Sequence, residues 1–187
     1  MSLVFKIVLI GDGGCGKTTL RLRFMGEHLS TCYIPTIGAD FSAKTLEIGG
    51  YKLKFVIWDL AGQPRFKEVR ALFYKGTKGA IVIYDISNRA TFENVPYWVA
   101  ELVKHAGKVP LILVGNKIDL RGRVEGCITS EEGEELARLL SEYMGFEVPF
   151  RETCALTGEG VQDVFLDIAY LIIKSMLQGK PPHGKGT

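Results

Sequence analysis

The chain has 187 residues, 47% of them apolar and 24% charged, enough for one domain with a sizeable buried core. A net charge of +2, with no basic run interleaved with aromatics, argues against a nucleic-acid partner. No apolar run approaches the roughly 18 residues of a membrane-spanning helix.

The first element is an apolar strand over residues 3–10, without the basic leader of a signal peptide. It runs into Gly11-Asp12-Gly13-Gly14-Cys15-Gly16-Lys17-Thr18, and a helix follows over residues 17–25. Strand, glycine-rich turn and helix around G-x-x-x-x-G-K-[ST] describe a phosphate-binding loop. Glycines let successive N–H groups point inward as an anion nest, and the helix N-terminus adds its own donors. Lys17 supplies a charge for β- and γ-phosphates, and the Thr18 hydroxyl is a hard ligand for Mg²⁺. Cys15, Cys32, Cys127 and Cys154 form no CxxC pair. A metal or disulfide framework is therefore not expected, and a reducing, cytoplasmic setting is.

Residues 26–37 show little periodicity, and a connection of that length is usually functional or disordered. Residues 40–48 and 51–59 read as a hairpin about Gly49-Gly50, with Tyr51, Leu53, Phe55 and Ile57 on one face. A loop over residues 60–69 leads into a short helix. Strands follow at 80–84 and 111–114, separated by a helix over 92–104 that carries Phe92, Val95, Val99 and Leu102. Thr129-Ser130-Glu131-Glu132 is a capping box, opening a helix with Leu136, Leu139, Leu140 and Tyr143 expected inward. Val148-Pro149-Phe150 begins a sixth strand. The final helix carries Val161, Val164, Phe165, Ile168, Leu171 and Ile172 as its stripe. Residues 1–178 are expected to form one domain, and 179–187 a disordered tail. The alternation predicts an α/β fold: a mainly parallel six-stranded sheet, one antiparallel edge strand, and helices on both faces. Ligands of such sheets sit at the carboxyl ends of the strands.

Two further motifs fall there. In Trp58-Asp59-Leu60-Ala61-Gly62-Gln63, Asp59 can hold a Mg²⁺ shell, the Gly62 N–H can reach a γ-phosphate, and the neutral amide of Gln63 can orient water. In Asn116-Lys117-Ile118-Asp119, a carboxylate can accept from both the ring N–H and the exocyclic amine of guanine. Adenine offers no such donor pair.

These motifs, with Tyr33-Ile34-Pro35-Thr36-Ile37-Gly38 and Glu152-Thr153-Cys154-Ala155, resemble the small GTPases of the Ras superfamily over about residues 4–173. Ile37-Gly38-Ala39-Asp40-Phe41 and Arg65-Phe66 resemble the Rab branch in particular. The resemblance implies a P-loop NTPase of the small G domain type that binds GTP, GDP and Mg²⁺. Its phosphates would be held by residues 11–16, Lys17, Thr18 and Thr19, with Tyr33 and Pro35 beside the nucleotide. Thr36 would complete the Mg²⁺ shell with Thr18 and Asp59 while its N–H contacts the γ-phosphate, which Gly62 would meet from the other side. Gln63, Lys17 and Thr36 would carry catalysis. Lys117 would lie over the base, Cys154, Ala155 and Leu156 would form the base loop, and the Ala155 N–H would bind the guanine oxygen. Effectors would meet residues near Thr36, Phe41, Trp58 and Phe73. An exchange factor, an activating protein and a monomeric state are expected. The chain shows neither a myristoylation glycine nor a prenylation cysteine.

Departures from the family pattern are specific. Leu29 stands where relatives place an aromatic ring beside the guanine, and Cys154-Ala155-Leu156 replaces Ser-Ala-Lys, so a loosened base pocket is expected. Gly13 leaves room beside the γ-phosphate, and Pro64 restricts Gln63 to extended geometry. Tyr33 stands where Gα relatives carry an arginine in cis, and Arg65, beyond Pro64 from Gln63, reads as the nearest arginine on the mobile loops. A GTP-hydrolysing switch is the main expectation. A nucleotide-bound interaction module with negligible turnover is the alternative, against which Gln63, Thr36 and Gly13 argue. An ATPase or nucleotide kinase conflicts with Asn116 and Asp119. His28, His105 and His183 are scattered and expected in solvent.

Overall fold

β1 (Ser2–Ile10) sends Ile7 and Leu9 to one face and Val8 and Ile10 to the other, all four fully buried. A strand with two apolar faces is stable only inside a sheet that is covered twice. The computed structural model describes residues 2–28, 36–48 and 50–179. In it, β1 lies third in a six-stranded sheet of order β2-β3-β1-β4-β5-β6. The other strands are β2 (Ala39–Ile48), β3 (Tyr51–Leu60), β4 (Gly79–Asp85), β5 (Leu111–Asn116) and β6 (Phe150–Thr153). Only β2 pairs antiparallel, with Phe41 opposite Trp58. The parallel registers align the strand ends: Leu9 pairs with Asp59, Asp85 with Asn116, and Asn116 with Thr153.

The helices are α1 (Lys17–Met25), α2 (Lys67–Phe73), α3 (Arg89–Glu93), α4 (Val95–Ala106), α5 (Ser130–Met144) and α6 (Val161–Leu177). α1 and α6 close one face, where Leu20, Phe24, Val164, Phe165 and Ile168 meet Phe5, Ile7, Phe55 and Ile83. α4 and α5 close the other, with Val95, Val99, Leu102, Leu140 and Met144 against Val82, Tyr84 and Leu113. Burying each such large side chain contributes about 1.5–3 kcal/mol against the entropy of ordering the chain.

The structure corrects several element expectations. The helix anticipated over 92–104 is two helices divided at Asn94. Pro96 has no N–H to continue the ladder from α3, and its ring would clash with the preceding turn. The capping box of α5 is present, with Glu132 N donating to Thr129 Oγ1 at 3.2 Å and Thr129 N to Glu132 Oε2 at 2.9 Å. Its buried face, however, is Gly133, Ala137, Leu140 and Met144, while Leu139 and Tyr143 are exposed. A Cβ on Gly133 would lie 2.3 Å from the Phe150 ring, so the smallest residues of this helix face the sheet. β6 starts at Phe150, after Val148 and Pro149. A 3-10 turn (Pro64–Phe66) precedes α2, which begins at Lys67, inside the stretch read as loop.

Candidate functional site

The glycine-rich turn joins β1 to α1 at the carboxyl edge of the sheet. Gly16 adopts φ +98° and opens α1. A Cβ there would stand 2.2 Å from Asn116 Nδ2, so glycine is required by backbone angle and by space together. Lys17 is buried, and its Nζ donates to the Gly11 and Asp12 carbonyls at 2.8 Å each. The ammonium is thereby held inside the turn, pre-positioned for an anion. Two of the expected turn residues offer only their backbones. The Cys15 side chain is buried in the core, and burial raises its thiol pKa. The Asp12 carboxylate faces α4, where it accepts from Asn94 Nδ2 and Trp98 Nε1, both at 2.7 Å. Gly13 and Gly14 are exposed, and Thr19 is half-buried. A Cβ on Gly13 would meet only Gln63 Cγ, at 3.8 Å, so the room expected there exists.

Three oxygens converge beside the turn. Thr18 Oγ1 lies 3.0 Å from Thr36 Oγ1 and donates to Asp59 Oδ2, which Thr36 approaches at 3.4 Å. Asp59 is fully buried, and its Oδ1 has no hydrogen-bond partner among the described residues. Burial raises its pKa, opposed by the Thr18 hydroxyl and the charges of Lys17 and Arg21. A buried carboxylate with an orphan oxygen beside two hydroxyls suits a small, hard cation. Among the described residues there is no group of three or more His, Cys, Asp or Glu that could hold a metal.

The opposite end is knotted by Asn116. Its Nδ2 donates to Cys15 O at 2.9 Å, and its Oδ1 accepts from Thr153 Oγ1 at 2.9 Å and Ala155 N at 3.1 Å. The N–H expected to face guanine is thus directed to Asn116, whose amide is already fixed from the turn. Lys117 adopts φ +70°, unusual for a side-chain-bearing residue, and its Nζ pairs with Asp85 Oδ2 at 2.6 Å. Asp119 Oδ1 accepts from the Cys154 thiol at 3.1 Å, so the base loop and the Asn116 to Asp119 motif are joined here. Leu156 is 61% exposed. Leu29, Tyr33 and Pro35 lie outside the described residues.

The sequence reading missed several supports. Arg23 of α1 donates through Nε to Ala155 O at 3.1 Å and through its terminal nitrogen to Leu156 O. The base loop is therefore held from below by a cation 132 residues away. Arg65 lies over the Phe66 ring at 4.8 Å. Arg70, on α2 rather than on the loop, donates from its guanidinium to Gln63 O at 2.9 Å. Gln63 itself is extended (φ −79°, ψ 139°), as Pro64 requires.

Beside the edge strand, the Trp58 ring of β3 stacks on Phe41 and lies tilted to Phe73, 5.1 Å from each, and Lys6 Nζ lies 5.1 Å over it. Phe41, Ile37 and Leu72 are exposed beside them. His28 and His105 are exposed, the latter stacked on Tyr74, and His183 is outside the described residues.

The model of the family described as Ras matches residues 6–174. This chain belongs to that family. It is 39% identical over 170 residues to the Ras-related protein SEC4 of Saccharomyces cerevisiae, covering 90% of this chain and 75% of that protein. It is 37% identical over 167 residues to human Ras-related protein Rab-8B, covering 89% and 77%. It is 37% identical over 186 residues to Ras-related protein Rab-10 of Caenorhabditis elegans, covering 99% and 89%. The protein is a Rab-like small GTPase, a guanine-nucleotide switch that hydrolyses GTP to GDP, in the branch that serves membrane traffic. Such switches act through effectors, exchange factors and activating proteins. Among the described residues, no helix is long and apolar enough to cross a membrane.

Proposed function

We propose that the phosphates of GTP lie in the nest of residues 11–16, with Lys17 on the β- and γ-phosphates and Thr19 closing the α1 end. The observation that carries this reading is the convergence of Thr18, Thr36 and Asp59 beside a buried lysine. These three oxygens would hold Mg²⁺, which when bound neutralises charge on the β- and γ-phosphate oxygens. The orphan Oδ1 of Asp59 supplies the reason a cation belongs there. Gly62 offers its N–H to the γ-phosphate, and Gln63 orients water at the open side of Gly13. Asp119 reads guanine, oriented by the Cys154 thiol, while Lys117, Ala155 and Leu156 border the base with Tyr33 and Pro35.

Phe41, Trp58 and Phe73, together with Thr36, form the effector face, and the exposed Ile37 and Leu72 add apolar area to it. Residues 1–178 act as one G domain ahead of the tail of residues 179–187. The domain works as a monomer in the cytoplasm and peripherally at membranes.

Among the described residues no arginine finger stands in the site. Arg65 rests on Phe66, and Arg70 is committed to backbone carbonyls and a carboxylate. Single-turnover hydrolysis without partners is therefore expected on the order of 10⁻⁴ to 10⁻³ per second, the Ras range rather than the Gα value near 10⁻². Gln63→Leu should lower that rate while leaving GTP binding intact. A partner-free rate near 10⁻² per second, or a Gln63→Leu protein as fast as wild type, would refute these roles.

Arg23 offsets the loosening expected from Leu156. Arg23→Ala removes two charge-assisted bonds to the base loop, of which one net loss is about 1.5 kcal/mol. GDP release should quicken about tenfold by that estimate. Leu156→Lys should change it far less, because the side chain points outward and the loop is already held. Release of a fluorescent GDP analogue, chased with excess GDP, measures both. An Arg23→Ala rate equal to wild type would show the loop to be held elsewhere.

A further inference from the structure

We propose that Arg70 is a positioning residue for GTP hydrolysis, gripping the carbonyls on either side of Gly62 and thereby aiming the Gly62 N–H and the Gln63 side chain. The proposal rests on the roles given to Gly62 and Gln63 above.

Arg70 is 3% exposed. Its Nη1 donates to Ala61 O and Gln63 O, both at 2.9 Å. Its Nε and Nη2 form a bidentate pair with Glu101 of α4 at 2.8 and 3.0 Å. Glu101 also accepts from the Tyr74 hydroxyl at 2.9 Å. Burial alone would raise the Glu101 pKa, but the Arg70 bonds and charge and the Tyr74 hydroxyl outweigh it and hold the carboxylate below its usual range. The guanidinium lies 4.5 Å over the Trp98 ring. That indole donates to Asp12 Oδ1 at 2.7 Å, beside the Asn94 amide on Oδ2. One face of α4 thus grips the phosphate loop through Asp12 and residues 61–63 through Arg70.

The consequence for chemistry follows from peptide geometry. In a planar trans peptide, C=O and N–H point in opposite directions. With Ala61 O fixed on Arg70, the Gly62 N–H is fixed to the side away from it. With Gln63 O fixed on the same nitrogen, the Gln63 backbone cannot rotate about Gly62. The Gly62 Cα meanwhile sits against the turn: a Cβ would lie 2.4 Å from Asp12 C and Gly13 N. A planar fork is needed for this task, since one group must serve a carboxylate on one edge and two carbonyls on another. A catalytic group displaced by about 1 Å loses on the order of a hundredfold in rate, so backbone placement here matters to hydrolysis.

The test compares Arg70→Lys, Arg70→Met and Arg70→Met with Glu101→Gln, alongside Gln63→Leu, in the full-length protein. Arg70→Lys keeps a cation against Glu101 and loses the fork. The double variant leaves no buried unpaired charge and keeps an acceptor for Tyr74, so its melting temperature should recover relative to Arg70→Met. Single-turnover GTP hydrolysis should fall at least tenfold in the double variant and at least fivefold in Arg70→Lys, with GDP release within twofold of wild type. If hydrolysis recovers in step with the melting temperature, Arg70 is only a structural brace and the proposal is overturned. If Gln63→Leu hydrolyses as wild type does, the roles of the site itself fail. A slow Gln63→Leu beside Arg70 variants of wild-type rate defeats the Arg70 inference alone.

Discussion

Asp119→Asn is expected to convert a site that prefers guanine into one that prefers xanthine. The carboxylate accepts two donors from guanine, and bonds to a charged acceptor are each worth about 1.5–3 kcal/mol. In the structure one of its oxygens already accepts from the Cys154 thiol at 3.1 Å. An asparagine would keep that bond through its Oδ1 and so turn its amide toward the base. A donor would then face the guanine donors, while the second carbonyl of xanthine would find a partner. The expected loss for GDP is two to three orders of magnitude, from about 3–4 kcal/mol at 1.4 kcal/mol per factor of ten. Competition between GDP and XDP for the same protein measures it, and an unchanged preference would mean that the base is read elsewhere.

Gly62→Ala should nearly abolish hydrolysis while sparing GDP binding. The added methyl would stand 2.4 Å from Asp12 C and Gly13 N and 2.6 Å from Gly11 O. All three are backbone atoms of the phosphate loop, so no rotamer relieves the overlap. The segment of residues 61–63 must lift by about an ångström, and a displacement of that size costs about a hundredfold in rate. Lys17 and the nest are left as they are, because their bonds do not pass through Gly62. Single-turnover hydrolysis together with GDP titration separates the two effects. A rate within threefold of wild type would show that Gly62 leaves the phosphate loop when nucleotide binds.

Much of the molecule was legible in the sequence, and for a local reason. The strand, turn and helix around Lys17 follow from nearest-neighbour chemistry: an apolar run, glycines where the backbone must turn left-handed, and a helix start. The capping box at Thr129 is legible in the same way, and so is the extended Gln63 before Pro64. The mainly parallel sheet with one antiparallel edge strand followed from the alternation of elements and the glycine hairpin, while the strand order came from the structure. Asp59, Asn116 and Asp119 stood out through their motif spacing, and the parallel registers bring Asp59 and Asn116 to one edge, with Asp119 in the turn that follows β5.

What the sequence could not show were the partners of groups far apart along the chain. Nothing near Asp12 indicates that its carboxylate turns from the phosphate loop toward Trp98, 86 residues away, or that Arg23 supports a loop 132 residues on. Arg70 reads as an ordinary charge on a short helix, and Glu101 as a surface acid on the next. Their pairing exists only because α2 and α4 pack against the same sheet face. The misread face of α5 has the same origin, since side-chain size counts toward burial only against a particular neighbour, here the Phe150 ring over Gly133. Local chemistry therefore determined which groups this protein carries to its site, while the packing of helices across the sheet decided which of them are held still, because only close approach removes the water that would otherwise satisfy each charge.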